Sequence, residues 1–351
     1  MGLGKIFGAP SRAEAALSPG QVPSESSTAS SLCTIISKIS GVRRTDIVNV
    51  AVKRLVELIV EGASVLDLCV EGDKLIEEGT AAVYNKSVKG VKLGLAFPTS
   101  ISANNCVAHF SPLSSDPLSA QKLAKGDVVK LRLGAHIDGF AAIAAETSVV
   151  SDAKEPRDGP AWSAAEVAMR LVRVGNKNWQ VTEAVSKVAA AWDCKPVEGM
   201  LSCPQTQNVI DGKKSIIINP SEGQKRDFET VTFAVGEVYG IDVLVSSGED
   251  GKRDHTVSYQ LKMKMSRGVF SEVQKKAGPF PFNVRVLDDE KRARMGLQEA
   301  VQHSLVRPYE VVYTPPNTFV AAFHFAIALL PGGPSLLTHP PAHQQNCHYW
   351  K

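Results

Sequence analysis

Between Asp127 and Val150 apolar and polar residues alternate. Val129, Leu131 and Leu133 fall on one side and Lys130 and Arg132 on the other, the period-2 pattern of a strand. Asp138-Gly139 predicts a two-residue hairpin turn, because Gly accepts the positive φ of a type I′ turn. The returning segment, Phe140 to Val150, carries almost nothing polar before Glu146. Arg132 therefore stands near the middle of an apolar hairpin, where a permanent charge needs a partner, water or a cavity wall.

Elsewhere the period lengthens. Ile47, Val48, Ala51, Val52, Leu55, Leu58 and Ile59 recur at helical spacing after Thr45-Asp46, and Gly62 stops the run. A second helix is predicted from Ser64 towards Tyr84, and a strand from Leu93 to Phe97. Beyond the hairpin come helices over 161–174 and 181–192, then strands over 229–234 and 237–246 parted by Gly236. A basic helix fits Asp289 to His303 and a last strand Phe319 to Leu330. Residues 1–44, rich in Ser, Pro, Gly and Ala, predict a loose arm, and 336–351 a loose tail after Pro331-Gly332-Gly333-Pro334. The order predicts one α+β domain over 45–335, with an antiparallel-rich sheet and helices on one side. Neither a GxGxxG nor a P-loop motif is present.

Composition narrows the classes. A chain of 351 residues has ample core, and a net charge of +3 is too weak to argue by itself for nucleic acid. The six cysteines are scattered without a CxxC pair, which predicts free thiols in a reducing compartment. No apolar run approaches the roughly 18 residues of a membrane span, so no membrane insertion is expected. Lys262, Lys264, Arg267, Lys275 and Lys276 form one basic cluster, within the stretch 250–280, and Lys291, Arg292 and Arg294 a second. Such clusters bind phosphate when they share a face, and otherwise form a solvated helix surface. No aromatics interleave them, which favours a shape-and-phosphate mode over base reading. His339, His343, Cys347 and His348 have the spacing of no zinc module.

Several long segments carry a family resemblance, in order along the chain. LAFPTSISANNCVAH (95–109) with FSPLSSD (110–116), VEGMLS (197–202), VIDG (209–212), VYGIDVLVSSG (238–248) and DEKRARMG (289–296) resemble the type II methionine aminopeptidases. They resemble still more the non-peptidase, proliferation-associated branch of that family. The resemblance covers about 45–335 and implies the pita-bread fold: two pseudo-symmetric α+β halves around a curved antiparallel sheet, with an active site in the concavity. Peptidases of this fold hold two divalent metals through two Asp, one His and two Glu, hard donors that activate a bridging water.

By this resemblance the ligand positions fall, singly, on Arg132, Ile143, Met200, Asp242 and His324. Four carboxylates become one, a cation enters, and Cys203 is the only soft donor near Met200. The resemblance thus implies no catalytic residues, no metal and no cofactor, and suggests that Arg132 pairs with Asp242 where metals would lie. His109, at the peptidases' substrate-positioning histidine, is either a relic donor or a packing and hydrogen-bonding residue, and the second reading is favoured because no metal-bound water remains for it to assist. The binding branch keeps an Asp where Arg132 stands, has a longer segment after Gly248 and ends in a lysine-rich tail; this chain has none of these.

The expected function is a catalytically silent binding protein. The resemblance implies ribosomes or structured RNA and regulatory proteins, a receptor tyrosine kinase tail among them, as partners. It implies roles in growth, translation and transcription control, in cytoplasm and nucleus or nucleolus. The alternatives are a metal-dependent methionine aminopeptidase and a degenerate copy without function.

Overall fold

The structure is a computed structural model that describes residues 6–8, 43–83, 92–151, 159–248, 264–303 and 305–338. The chain enters through a short strand, β1 (Ile6–Gly8), and two amphipathic helices, α1 (Arg43–Leu58) and α2 (Val65–Val83). Strands β2 (Leu93–Ala103), β3 (Val128–Ile137) and β4 (Phe140–Val149) follow. The β3–β4 turn is the one the sequence predicts: Asp138 has φ 53° and Gly139 φ 78°. A side chain at Gly139 would also strike Asn208, whose backbone N–H donates to the Gly139 carbonyl.

The second half repeats the plan. Helices α3 (Pro160–Leu171) and α4 (Asn178–Ala191) precede β5 (Lys195–Pro196), β6 (Met200–Pro204) and β7 (Ile216–Ile218). After a short helix α5 (Glu222–Asp227) comes the long strand β8 (Val238–Ser246). Then follow α6 (Lys264–Lys276), β9 (Phe282–Asn283), α7 (Glu290–Gln302), β10 (Arg307–Tyr309), β11 (Val320–Leu330) and β12 (Gly333–Leu336).

Nine strands make one antiparallel sheet in the order β2-β3-β4-β11-β8-β6-β7, with β12 on β11 and β5 on β8. Its two halves meet where β4 pairs with β11. Alternation sorts the side chains. Val129, Leu131, Leu133, Ala142 and Ala144 pack under α1 and α2. Tyr239, Ile241, Val243, Phe323, Phe325 and Ile327 pack under α3 and α4. Each large side chain so buried contributes about 1.5–3 kcal/mol. The intervening residues Arg132, Ala145, Asp242 and His324 must then point to the opposite, concave face.

Four expectations are corrected. Residues 229–234 are not a strand: Asn178 donates to the Val231 carbonyl and Phe233 to that of Asn176, so this backbone closes over the start of α4. Strand β2 runs past Phe97, because register shifts at Leu95/Phe97 and Phe97/Ser100 absorb Pro98, which has no N–H to donate. Ile6–Gly8 of the expected arm is the middle strand of a second sheet, β10-β1-β9. Residues 336–338 of the expected tail are packed, since the fully buried Thr338 accepts from Ala326 N–H. Helix α6 lies within the expected basic insert, where few apolar residues give a helical stripe to read. The rest of the arm, the insert and the His- and Cys-bearing tail lies outside the described residues.

Candidate functional site

A lateral row of residues crosses the sheet at the seam between its halves. Arg132 pairs with Ala145, Ala145 with His324, and His324 with Asp242. Three strand spacings of about 4.8 Å separate the end backbones along a flat sheet. Curvature and the length of arginine close that gap, with Ala145 in the row offering only a methyl. Arg132 Nη2 donates to Asp242 Oδ1 at 2.5 Å, and both side chains are about nine-tenths buried. The Asp242 backbone N–H donates to Ser202 Oγ at 2.8 Å, which fixes β8 to β6. The ion pair suggested by the sequence is therefore present, and it ties one half of the fold to the other.

His324 is equally committed. Its Nδ1 donates to the Ile143 carbonyl at 3.1 Å. Burial, against the opposing pull of Asp242, holds its imidazole down at about 4, so it stays neutral at pH 7. A side chain at Gly240 would touch both His324 and Gln205, so the neighbouring strand must be bare there. The Thr147 hydroxyl donates to the Ala322 carbonyl and accepts from its N–H, closing the seam one step along.

Hydrophobic groups fill the rest of the concavity. Ile143 packs with Ala96, Phe97 and Phe280, with Tyr309 alongside. The Phe97 ring lies 5.7 Å from the Arg132 guanidinium carbon. His109, at φ 67°, packs edge-on against Tyr309 at 5.0 Å. His136 stacks on Phe280 at 4.4 Å, and its burial likewise lowers it to about 4. Lys130, on the same strand, is buried, donates to the Asn104 carbonyl, and is lowered to about 7 by desolvation.

These residues do not fit a pair of divalent metals. Such a centre needs several anionic donors. Here the one carboxylate at those positions, Asp242, already holds a cation, and His324 could offer only its Nε2, within the field of the buried Arg132 charge. Met200 packs among apolar groups of both halves, beside Leu244 and Ala322. Burial, with Asp211 and Asp242 nearby, pushes the Cys203 thiol up to about 12, so it is no ready thiolate ligand. Among the described residues no three His, Cys, Asp or Glu converge. Cys69, Cys106, Cys194 and Cys203 are free thiols.

The second candidate region is the unit of α6 and α7, which pack through Val269, Val273, Ala293 and Leu297. Lys262 lies outside the described residues, and Lys264 and Arg267 are placed only as positions on α6. Lys275, Lys291 and Arg292 are exposed. Lys276 is held at 2.5 Å by Asp288 and also by Glu272. Arg294 is drawn inward to Asp116 at 2.6 Å and to Glu290. The packing of α6 on α7 thus brings Lys275 and Lys276 of one cluster into a unit with Lys291, Arg292 and Arg294 of the other, and of these Lys276 and Arg294 serve the fold.

Sequence reasoning missed the aromatic filling. Phe280, flanked by Pro279 and Pro281, was the available sign: a rigid aromatic in a polar stretch needs a buried site. Thr147 and Thr338 offered no sign at all.

A curved antiparallel sheet with paired helices on its convex side, split into like halves, is the pita-bread architecture. Residues 43–216 match metallopeptidase family M24. The chain is 45% identical to the curved DNA-binding protein of Schizosaccharomyces pombe, over 82% of this chain and 79% of that one. It is 43% identical to ERBB-3 binding protein 1 of Arabidopsis thaliana, over 84% and 78% respectively. Proliferation-associated protein A of Dictyostelium discoideum is 35% identical, over 82% and 78%. A solved thermophilic Arx1 superposes with a TM-score of 0.79 at 30% identity, covering 88% of this chain and 91% of that one. A methionine aminopeptidase of Thermotoga maritima, 16% identical with a TM-score of 0.55 over 91% and 98%, shares the fold. The chain belongs to the proliferation-associated, ERBB-3-binding-protein-like branch of metallopeptidase family M24.

Proposed function

We propose that this chain is a non-peptidase M24 protein that acts as a binding module for ribosomes or structured RNA, with regulatory proteins as further partners. The Arg132–Asp242 ion pair carries the first half of this reading. It sets a permanent cation against the one carboxylate at the positions where the resemblance places metal ligands. A metal would have to displace that buried guanidinium, which leaves an uncompensated charge in a site already closed by Ile143 and Phe280. The exposed cations of the α6–α7 unit support the second half, by the phosphate contacts they offer. The partners implied by the family, a receptor tail included, and a cytoplasmic and nuclear or nucleolar setting complete the proposal.

The test is ribosome co-sedimentation at low and at moderate salt, using the wild type and a charge-reversed Lys262, Lys264, Lys275 and Lys291→Glu variant. Wild-type pelleting that falls with salt and is weakened in the variant supports the reading. Pelleting unchanged in the variant overturns the assignment of this surface. Two tightly bound transition metals per purified chain, with aminopeptidase turnover, overturn the non-peptidase assignment.

A further inference from the structure

Among the described residues, the outer edge of the sheet is covered along one stretch and uncovered along the next. Strand β2 is the edge, paired only with β3 in the large sheet. Asp138 N–H donates to the Lys92 carbonyl, so Lys92–Asp138 is a hydrogen-bonded pair. In an antiparallel ladder such pairs alternate with non-bonded ones. Leu93–Ile137 and Leu95–Ala135 are therefore the non-bonded pairs, and the N–H and C=O of Leu93 and Leu95 point away from the sheet.

Farther along, the protein covers its own edge. Thr99 N–H donates to Asp73, the Thr99 carbonyl accepts from the Ser111 hydroxyl, and Ile101 N–H donates to the Phe110 carbonyl. At Leu93 and Leu95 no group among the described residues does the same. A cavity of about 320 Å³ lies there instead, lined by Leu93 and Leu95, by Glu77 of α2, and by Lys276, Ala277 and Phe282 of the insert side.

The charges of the cavity wall are unequal. Lys276 is satisfied by Glu272, Asp288 and the Val286 carbonyl. Asp73 is satisfied by Arg285 and Thr99. Among the described residues no cation pairs with Glu77, and burial together with Asp73 raises its carboxyl above the usual range. We propose that this edge is a docking site for an extended basic peptide, which adds as a strand beside Leu93–Leu95 and sets a Lys or Arg against Glu77. Main-chain bonds to Leu93 and Leu95 supply affinity, as in other strand additions, and the carboxylate supplies the preference for charge.

The probe is a fluorescein-labelled dodecapeptide of alternating lysine and threonine, with a glutamate–threonine peptide as control. Anisotropy should show saturable binding of the basic peptide alone. Leu93→Pro removes an outward N–H at a position where an edge strand tolerates proline. Glu77→Lys leaves the backbone untouched, so it stands if Leu93→Pro fails to fold. Each should weaken binding by roughly tenfold or more, and the bound peptide should slow amide exchange at Leu93 and Leu95. Absence of binding by the wild type, undiminished wild-type affinity in both variants, or protection elsewhere would overturn the proposal. Because neither variant touches the α6–α7 lysines, ribosome pelleting should persist, which separates this result from failure of the RNA-binding reading.

Discussion

The concave face and the α6–α7 unit both collect charged residues, and they treat charge in opposite ways. On the concave face every charged or titratable group in the central row has a fixed partner inside the protein. Arg132 is closed by Asp242, His324 by the Ile143 carbonyl, and Phe97, Phe280 and Tyr309 keep water away. Among the described cationic side chains of the α6–α7 unit, Lys276 and Arg294 are consumed by internal pairs, while Lys275, Lys291 and Arg292 face solvent. The lesson is that cations seen in a sequence divide by reach. A buried one specifies how elements assemble; an exposed one can be offered to a partner.

The largest effect should come from splitting the central pair. Asp242→Ala leaves Arg132 buried and unpaired, and should cost about 3–5 kcal/mol, seen as a fall in melting temperature on the order of 10 °C. The double variant Arg132→Met, Asp242→Leu should recover most of that loss, because neither charge then needs compensation. If Arg132→Met alone stabilises the protein and Asp242→Ala is silent, the pair does not join the halves energetically.

Acid should come next. The folded protein holds His324 at about 4, below the ordinary histidine value near 6.5. The unfolded chain therefore binds the proton first. Stability contributed by neutral His324 is full above about 6.5 and is lost as pH falls towards 4. The loss should be on the order of 3 kcal/mol, and His324→Gln should reduce the pH slope in denaturant titrations across that window. An unchanged slope would assign the acid sensitivity to other groups, of which His136 is the first to test.

A smaller effect is expected at the seam beside the row. Thr147→Val deprives both the N–H and the carbonyl of Ala322 of their hydroxyl partner, and should cost about 1–3 kcal/mol in urea unfolding. Smallest of all on stability is the reversal of the exposed Lys275 and Lys291 to Glu. It should move the melting midpoint by less than about 0.5 kcal/mol equivalent while still weakening ribosome pelleting. A large stability loss there would mean that these lysines also serve the fold, and the contrast between the two regions would fail.

Much of the fold was legible because periodicity reports directly on burial. The β3–β4 hairpin, α1, α2, α7, β8 and β11 follow from alternating or helical apolar spacing, and the Asp138-Gly139 turn from a dipeptide that tolerates positive φ. Strands β6, β7 and β12 were not legible. They are short, β6 and β12 contain or adjoin proline and glycine, and each is paired to a longer strand. The apparent strand at 229–234 failed for the converse reason: its backbone bonds go to the loop before α4.

By itself the sequence determined that Arg132 is an anomaly in an apolar hairpin and that the basic residues lie in two clusters. These follow from residue identity and spacing. Only the tertiary structure decided which charge meets which. Residues 132 and 242 are brought within 2.5 Å because a curved sheet places β3 and β8 on opposite sides of one seam. The aromatic filling above them and the inward turn of Arg294 likewise depend on contacts between residues distant in the chain, and no local pattern encodes those.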